Sequence, residues 1–289
     1  METKNLGNTQ VKLPAVGFGT WHYLGGIEPL RTAIEQGAYM IDTAENYKTE
    51  AVVGEAIRNR REQVFLATKA APRNFRRRDL IAAAERSLVR LGTEYIDLYQ
   101  LHWPNYTVPI EETMSAMEEL VDAGKIRFIG VSNFSIGELK RAQSALPKYG
   151  IVANQVRYSL IERTIEGGLL KYCQENAITI IAFSPLGASF AQFRRADPQG
   201  ELNRIATAAG RTEAQVALNW LIAKDNVVTI PKASTAAHVI EDCEASGWRL
   251  SEKDYASLEM KIDYKRRGPL EIAARRMART LLQHFGRQI

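Results

Sequence analysis

Residues 37–69, GAYMIDTAENYKTEAVVGEAIRNRREQVFLATK, decide the fold. A short apolar run at 39–42 reads as a strand, and the polar segment that follows holds Tyr47. Residues 49–60 carry helix-type apolar spacing, and a second apolar run at 64–68 ends on Lys69. Strand, helix and strand in so little chain predict two parallel strands joined by a crossover.

The same unit repeats outward in both directions. Strands are expected at 15–18, 39–42, 64–68, 95–101, 126–131, 151–155, 178–183 and 227–230. Helices are expected between them at 28–36, 49–60, 79–90, 111–123, 135–144, 166–176 and 212–223, with a further pair at 236–244 and 251–262. Within 79–90, Leu80, Ile81, Ala84 and Leu88 recur on one helical face. Asp79 and Thr212 are candidate N-caps. Eight strands alternating with helices predict a closed (β/α)₈ barrel with extra C-terminal helices, against an open doubly wound sheet as runner-up. Residues 4–13 read as an N-terminal β-hairpin, with Gly7, Asn8 and Thr9 as turn, placed to plug the barrel floor. No linker or repeat divides the chain, so residues 1–289 are expected to form one domain.

Composition narrows the function classes. With 45% hydrophobic and 25% charged residues, the chain has an ordinary globular balance. No apolar run approaches the ~20 residues of a membrane span, and METKNLGNTQVKLP has no apolar signal core. A cytoplasmic protein with no membrane partner is expected. Cys173 and Cys243 form no CxxC pair and are expected as reduced thiols. The net charge is +5, and the basic excess sits in the tail, 265–289, with the rest of the chain near neutral. There Lys265, Arg266, Arg267, Arg275, Arg276, Arg279 and Arg287 face the single acid Glu271. A basic tail can bind nucleic acid, but a solvated helix face is the reading preferred, with no nucleic-acid partner.

Barrel chemistry collects past the C-terminal ends of the strands. Polar residues recur there: Asp42 with Tyr47, Lys69, His102, Ser132 with Asn133, Asn154 with Gln155, Ser184, and Lys232 after Pro231. A carbonyl accepting hydride needs a proton donor. Tyrosine, with a pKa near ~10, needs a neighbouring cation to bring that value down. Tyr47, Lys69 and Asp42 supply donor, cation and the carboxylate that holds the cation charged. His102 is placed to hydrogen-bond the carbonyl oxygen. Singly, each has a duller reading: loop cap, half-buried aromatic, surface charge, core histidine. Four at neighbouring strand ends are hard to explain that way. Gly17 and Gly19 open a dinucleotide fingerprint that fails at His22, and four scattered histidines offer no metal site.

The chain resembles the aldo-keto reductase family, as a prokaryotic-type member with short loops. GAYMIDTAENYKTE (37–50), LVRLGTEYIDLYQLHWP (88–104), GKIRFIGVSNFS (124–135), NQVRYS (154–159), AFSPLG (182–187) and IPKAS (230–234) are similar to its signatures, in their order, over about residues 5–262. The resemblance implies a TIM barrel that reduces aldehydes and ketones with NAD(P)H bound without a Rossmann domain. It implies Tyr47 as general acid, with Asp42, Lys69 and His102 supporting it. It also implies Ser132, Asn133 and Gln155 on the nicotinamide carboxamide, Phe183 on the ring, and Ser184 and Leu186 at the pyrophosphate. Lys232 falls at the 2′-phosphate and Glu241 at the adenine, with Thr20, Trp21, Ser234 and His238 as further cofactor contacts. Trp21 and Trp103, with Tyr23, Asn105 and Tyr106, would line the substrate pocket. Ala233, His238 and Asp242 depart from the family pattern, so NADP(H) is expected to be preferred with NAD(H) possible. A monomer or weak homo-oligomer is expected. Two other functions fit the same residues less well: a cofactor-sensing regulatory protein on the same fold, and a Schiff-base aldolase using Lys69. A lysine kept charged by Asp42 is a poor nucleophile.

Overall fold

The computed structural model describes residues 1–187 and 189–284. The chain begins with an antiparallel hairpin, β1 (Thr3–Asn5) and β2 (Lys12–Pro14), followed by β3 (Phe18–Gly19). Then come α1 (Glu28–Glu35), β4 (Met40–Asp42), α2 (Glu50–Ile57), β5 (Phe65–Ala70), α3 (Arg77–Leu91), β6 (Ile96–Leu101) and α4 (Ile110–Asp122). The second half holds β7 (Ile126–Ser132), α5 (Ile136–Ser144), β8 (Ile151–Arg157), α6 (Leu169–Glu175), β9 (Thr179–Phe183), α7 (Phe190–Ala196), α8 (Glu201–Ala209), α9 (Glu213–Ile222) and β10 (Val227–Ile230). Helices α10 (Ala236–Cys243), α11 (Glu252–Lys261) and α12 (Pro269–His284) follow.

Strands β3 to β10 form one parallel sheet in sequence order. It closes on itself: Val16 bridges Thr229 in parallel, Gly17 N–H donates to Thr229 O at 2.8 Å, and Thr229 N–H donates to Ala15 O at 2.9 Å. Strand ladders and closure together make the (β/α)₈ barrel, the TIM fold.

Two apolar layers hold it. Leu98, Ala153, Ile181 and Val228 fill the barrel interior, and Leu6 and Leu13 of the hairpin segment pack beneath them as a plug. Gly7 makes that plug possible. Its φ of +55° suits glycine, and a Cβ there would stand 2.9 Å from Ala177 O. Its N–H donates to Thr179 Oγ1. The outer layer joins the sheet to the helices through residues such as Leu80, Ala84 and Leu88 of α3.

The structure moves several expected boundaries. The first strand pairs at Phe18–Gly19 rather than across 15–18. The helix expected at 166–176 is a 3₁₀ turn (Thr164–Gly167) and then α6, separated by Gly168 at φ +128°. Thr212 caps α9 in a capping box with Gln215. Asp79 does not cap α3, because the helix begins two residues earlier. Glu112 of α4 accepts from Arg77 N–H at 3.0 Å, a tertiary contact that no local pattern carries. Helices α7 and α8 have no counterpart among the expected elements, and α12 falls in the tail read as a helix face. The tail is held against the barrel by main-chain bonds between Lys265 and both Ile161 and Arg163. Arg287 and the side chain of Arg279 lie outside the described residues. Among the described residues, no helix is long and apolar enough to cross a membrane.

Candidate active site

Strand ends β4, β5 and β6 deliver the proton-transfer candidates to one place. Lys69, fully buried, donates to Asp42 Oδ1 at 2.5 Å and to Thr43 O at 2.7 Å. Its ammonium lies 4.9 Å from the centre of the Tyr47 ring. Tyr47 Oη is 3.3 Å from His102 Nε2, and the two rings meet edge to face. Asp42 is held on its other oxygen as well, by Gln155 Nε2 at 2.8 Å and Gln100 Nε2 at 3.2 Å. Thr20, Thr43 and Thr49 join hydroxyls beneath this loop, and Thr20 also donates to Asp42 O. Removing one partner of this buried ion pair would leave the other charge without solvent.

The electrostatics correct one expectation. Burial pushes the Tyr47 phenol upward, Lys69 pulls it down, Asp42 pushes it up, and the net shift is upward rather than downward. Tyr47 therefore rests protonated, and Lys69 offsets part of the burial penalty on the phenolate that proton donation would leave. For Lys69, burial acts downward, but Asp42 and Tyr47 outweigh it and raise the pKa, so the cation persists. Burial, with Lys69 beside it, pulls His102 down to about 3. Its imidazole is neutral at ordinary pH and can donate one N–H; among the described residues, its Nδ1 has no hydrogen-bond partner.

These groups open onto a cavity of about 1210 Å³. Thr20, Trp21, Asp42, Tyr47, His102, Trp103, Ser132, Asn133, Gln155, Phe183, Ser184, Leu186 and Lys232 line it. Lys69 lies behind Asp42 and Tyr47. Ser234, His238 and Glu241 lie outside the lining, on the loop after β10 and on α10. Three aromatic-pocket expectations are corrected. Tyr23 is buried against Phe18 with its hydroxyl on Gly26 O. Asn105 donates to Pro72 O, and Tyr106 donates to Glu138. None of the three lines the cavity.

A nicotinamide coenzyme fits this lining chemically. Gln155 spends its Nε2 on Asp42 and Gln100, leaving Oε1 as an acceptor for an amide N–H. Asn133 spends Nδ2 on His102 O and Ser132 Oγ, leaving Oδ1 likewise. Asn133 and Ser184 stand at φ +63° and +50°, uncommon for residues other than glycine. Such backbone clusters at binding sites. Lys232 is exposed, and its ammonium donates to His22 O at 3.4 Å.

The sequence reading missed Arg141, Arg157, Arg267, Ile272, Arg275 and Arg276, all of which line the cavity. The basic tail was the signal for four of them: the family resemblance, in which a C-terminal loop often borders the pocket, already admitted anionic or phosphorylated substrates there, without naming these residues.

Residues 15–263 match the Aldo/keto reductase family. The chain is 40% identical over 260 residues to methylglyoxal reductase YeaE of Escherichia coli (strain K12), covering 86% of this chain and 91% of that one. Among solved structures, it is similar to the thermostable aldo-keto reductase Tm1743 complexed with the inhibitor epalrestat (42% identity, 90% of this chain and 99% of that chain, TM-score 0.83). It is also similar to an aldo-keto reductase from Klebsiella pneumoniae in complex with NADPH (35% identity, 92% and 98%, TM-score 0.83).

Proposed function

Because this chain belongs to the aldo/keto reductase family, we propose that Tyr47 is its general acid, with Asp42, Lys69 and His102 completing the proton-transfer group. The protein is an NADPH-dependent oxidoreductase that reduces the carbonyl groups of small molecules to alcohols. When bound, the reduced nicotinamide coenzyme supplies the hydride. The chain's own residues do the rest. His102, neutral, donates a hydrogen bond to the carbonyl oxygen and fixes it beside Tyr47. Tyr47 gives its proton to that oxygen as negative charge develops. Lys69 stabilises the resulting phenolate, and Asp42 keeps Lys69 charged and in place.

In this reading Gln155, Asn133 and Ser132 orient the carboxamide, and Phe183 covers the ring. Ser184, Leu186 and Lys232 take the phosphates, and Thr20 shapes the loop beneath. Lys232 favours NADPH, because a 2′-phosphate is held best by a charge-assisted bond. Ser234, His238 and Glu241 reach the adenosine end only beyond the cavity described. Trp21 and Trp103 flank the reacting carbonyl. Methylglyoxal, the substrate in the name of the E. coli relative, is the first to try.

The observation that carries this reading is the Asp42–Lys69–Tyr47–His102 chain, with polar distances of 2.5 Å and 3.3 Å at its two ends. Tyr47→Phe tests it. With methylglyoxal and NADPH, the variant is expected to lose about 10²–10⁴-fold in kcat, the usual worth of a positioned acid. Its NADPH affinity by fluorescence titration should hold. An undiminished kcat would remove Tyr47 from the role.

A further inference from the structure

One side of the cavity is used neither by the proton-transfer group nor by the residues assigned to the coenzyme. It lies past the ends of β7 and β8, between α5 and α12. Arg141 of α5, Arg157 of β8, Arg267, and Arg275 and Arg276 of α12 all line it. The acids around them are fewer and already engaged. Glu271 is shared among Lys265 at 3.5 Å, Arg267 at 3.3 Å and Arg275 at 3.1 Å. Glu162 takes Arg267 at 2.7 Å. Glu138 is buried, accepts from Ser135 N–H and Oγ and from Tyr106, and meets Arg276 at 3.5 Å. Five guanidiniums and the Lys265 ammonium thus surround three carboxylates, leaving a local positive excess.

Two of these arginines have capacity to spare. Among the described residues, Arg141 makes no ion pair, and Arg275 engages Glu271 through Nε, leaving both terminal nitrogens. The Arg276–Glu138 contact joins α12 to α5 at one point, and Arg141 follows Glu138 by three positions on the same helical face. A cleft lined by one sign of charge raises the local concentration of opposite ions. A guanidinium fork matches carboxylate and phosphate oxygens in geometry.

Resting on the reductase reading above, we propose that this enzyme selects carbonyl compounds bearing an anionic group, a carboxylate or a phosphate monoester. Arg141 and Arg275 hold the anion while the carbonyl meets Tyr47 and His102. The cofactor phosphates are a poorer explanation of the same charge. Their assigned residues, Ser184, Leu186 and Lys232, follow β9 and β10, whereas Arg141 and Arg275 lie past β7 and β8.

Matched substrate pairs test this with the whole enzyme and saturating NADPH, read at 340 nm. Succinic semialdehyde is set against its methyl ester, and glyceraldehyde 3-phosphate against glyceraldehyde. Each pair keeps the reacting carbonyl and changes the charge. At low salt, at least one anionic member should show kcat/KM about tenfold or more above its neutral partner, carried mainly by KM. Preference in one pair alone identifies the anion as carboxylate or phosphate. The double variant Arg141→Met/Arg275→Met should bring the ratio close to one, with the neutral substrates reporting that it folds. Arg249→Met removes one positive charge where Arg249 pairs with Glu2, away from the cavity, and should keep the ratio. The proposal fails if neither pair shows a preference, if the double variant keeps it, or if the variant's NADPH affinity falls as much as the ratio does. Turnover of all four substrates without charge preference would sink this inference alone. Turnover of none of the four while methylglyoxal is reduced would also sink this inference alone, and failure with methylglyoxal as well would sink the reductase reading with it.

Discussion

The two sides of the cavity are built on opposite principles. At the ends of β4, β5 and β6, Asp42, Lys69 and Gln100 are buried and each is held by several partners. At the α5–α12 side, Arg141 and Arg275 are exposed, and one glutamate serves three cations. Water weakens a charge pair there by its dielectric, while the strand-end pair feels a far lower one. The buried side therefore fixes geometry and tolerates almost no change. The exposed side sets a field and tolerates much. Reaction type belongs to the first and substrate preference to the second.

The sharpest way to break this contrast is Lys69→Met. Removing one partner of a buried ion pair leaves Asp42 charged without solvent and is expected to cost about 3–5 kcal/mol of stability. The cation beside the phenolate goes with it, and kcat should fall by about 10²–10⁴-fold. Lys69→Met/Asp42→Asn should recover much of the stability and none of the activity, since the uncompensated charge disappears while Tyr47 stays unsupported. Urea midpoints and NADPH oxidation measure the two separately. If the double variant regains turnover, Lys69 holds structure only.

How legible each side was in the sequence follows the same division. Asp42, Tyr47, Lys69 and His102 sit within a few residues of strand ends, so short apolar runs located them, and the barrel rule brought them to one mouth. The hairpin plug and the capping box at Thr212 were equally local. Position across the fold was not. Arg275 is far along the chain from Arg141, and its place on the cavity depends on Lys265 pairing with Ile161 and Arg163. Tyr23 and Tyr106 show the same limit: an aromatic after a strand can turn inward to Phe18 or sideways to Glu138. The direction of the Tyr47 shift was misjudged for a related reason. A neighbouring cation can be read from sequence, but the burial that outweighs it cannot.

Lys232 gives a smaller and more selective effect. It is exposed, and among the described residues its one hydrogen bond goes to His22 O at 3.4 Å, so its loss should leave stability within about 0.5 kcal/mol. If it meets the 2′-phosphate, Lys232→Met should raise KM for NADPH by about tenfold, equivalent to ~1.4 kcal/mol. KM for NADH should stay nearly constant. Equal effects on both coenzymes would place the phosphate contact elsewhere.

The smallest expected effect concerns His102, and it tests whether the dry character of the first side extends to the substrate end. With its folded pKa at about 3 and an unfolded value near ~6.5, the unfolded chain binds more protons between those two values. Stability therefore rises with pH across that window, and the contribution of neutral His102 is lost as pH falls below ~6.5. From pH 7 to 5.5, the wild type should lose about 1 kcal/mol more than His102→Gln, which has no such proton to bind. Urea midpoints at the two pH values measure the difference. The same neutrality predicts that the acid limb of the kcat profile, if one appears between pH 5 and 7, does not come from His102. Parallel stability losses in the two proteins would mean that water reaches the imidazole and that it charges like a surface histidine. The boundary between the dry side and the wet one would then run behind His102, leaving Lys69 and Asp42 as the enclosed part of the site.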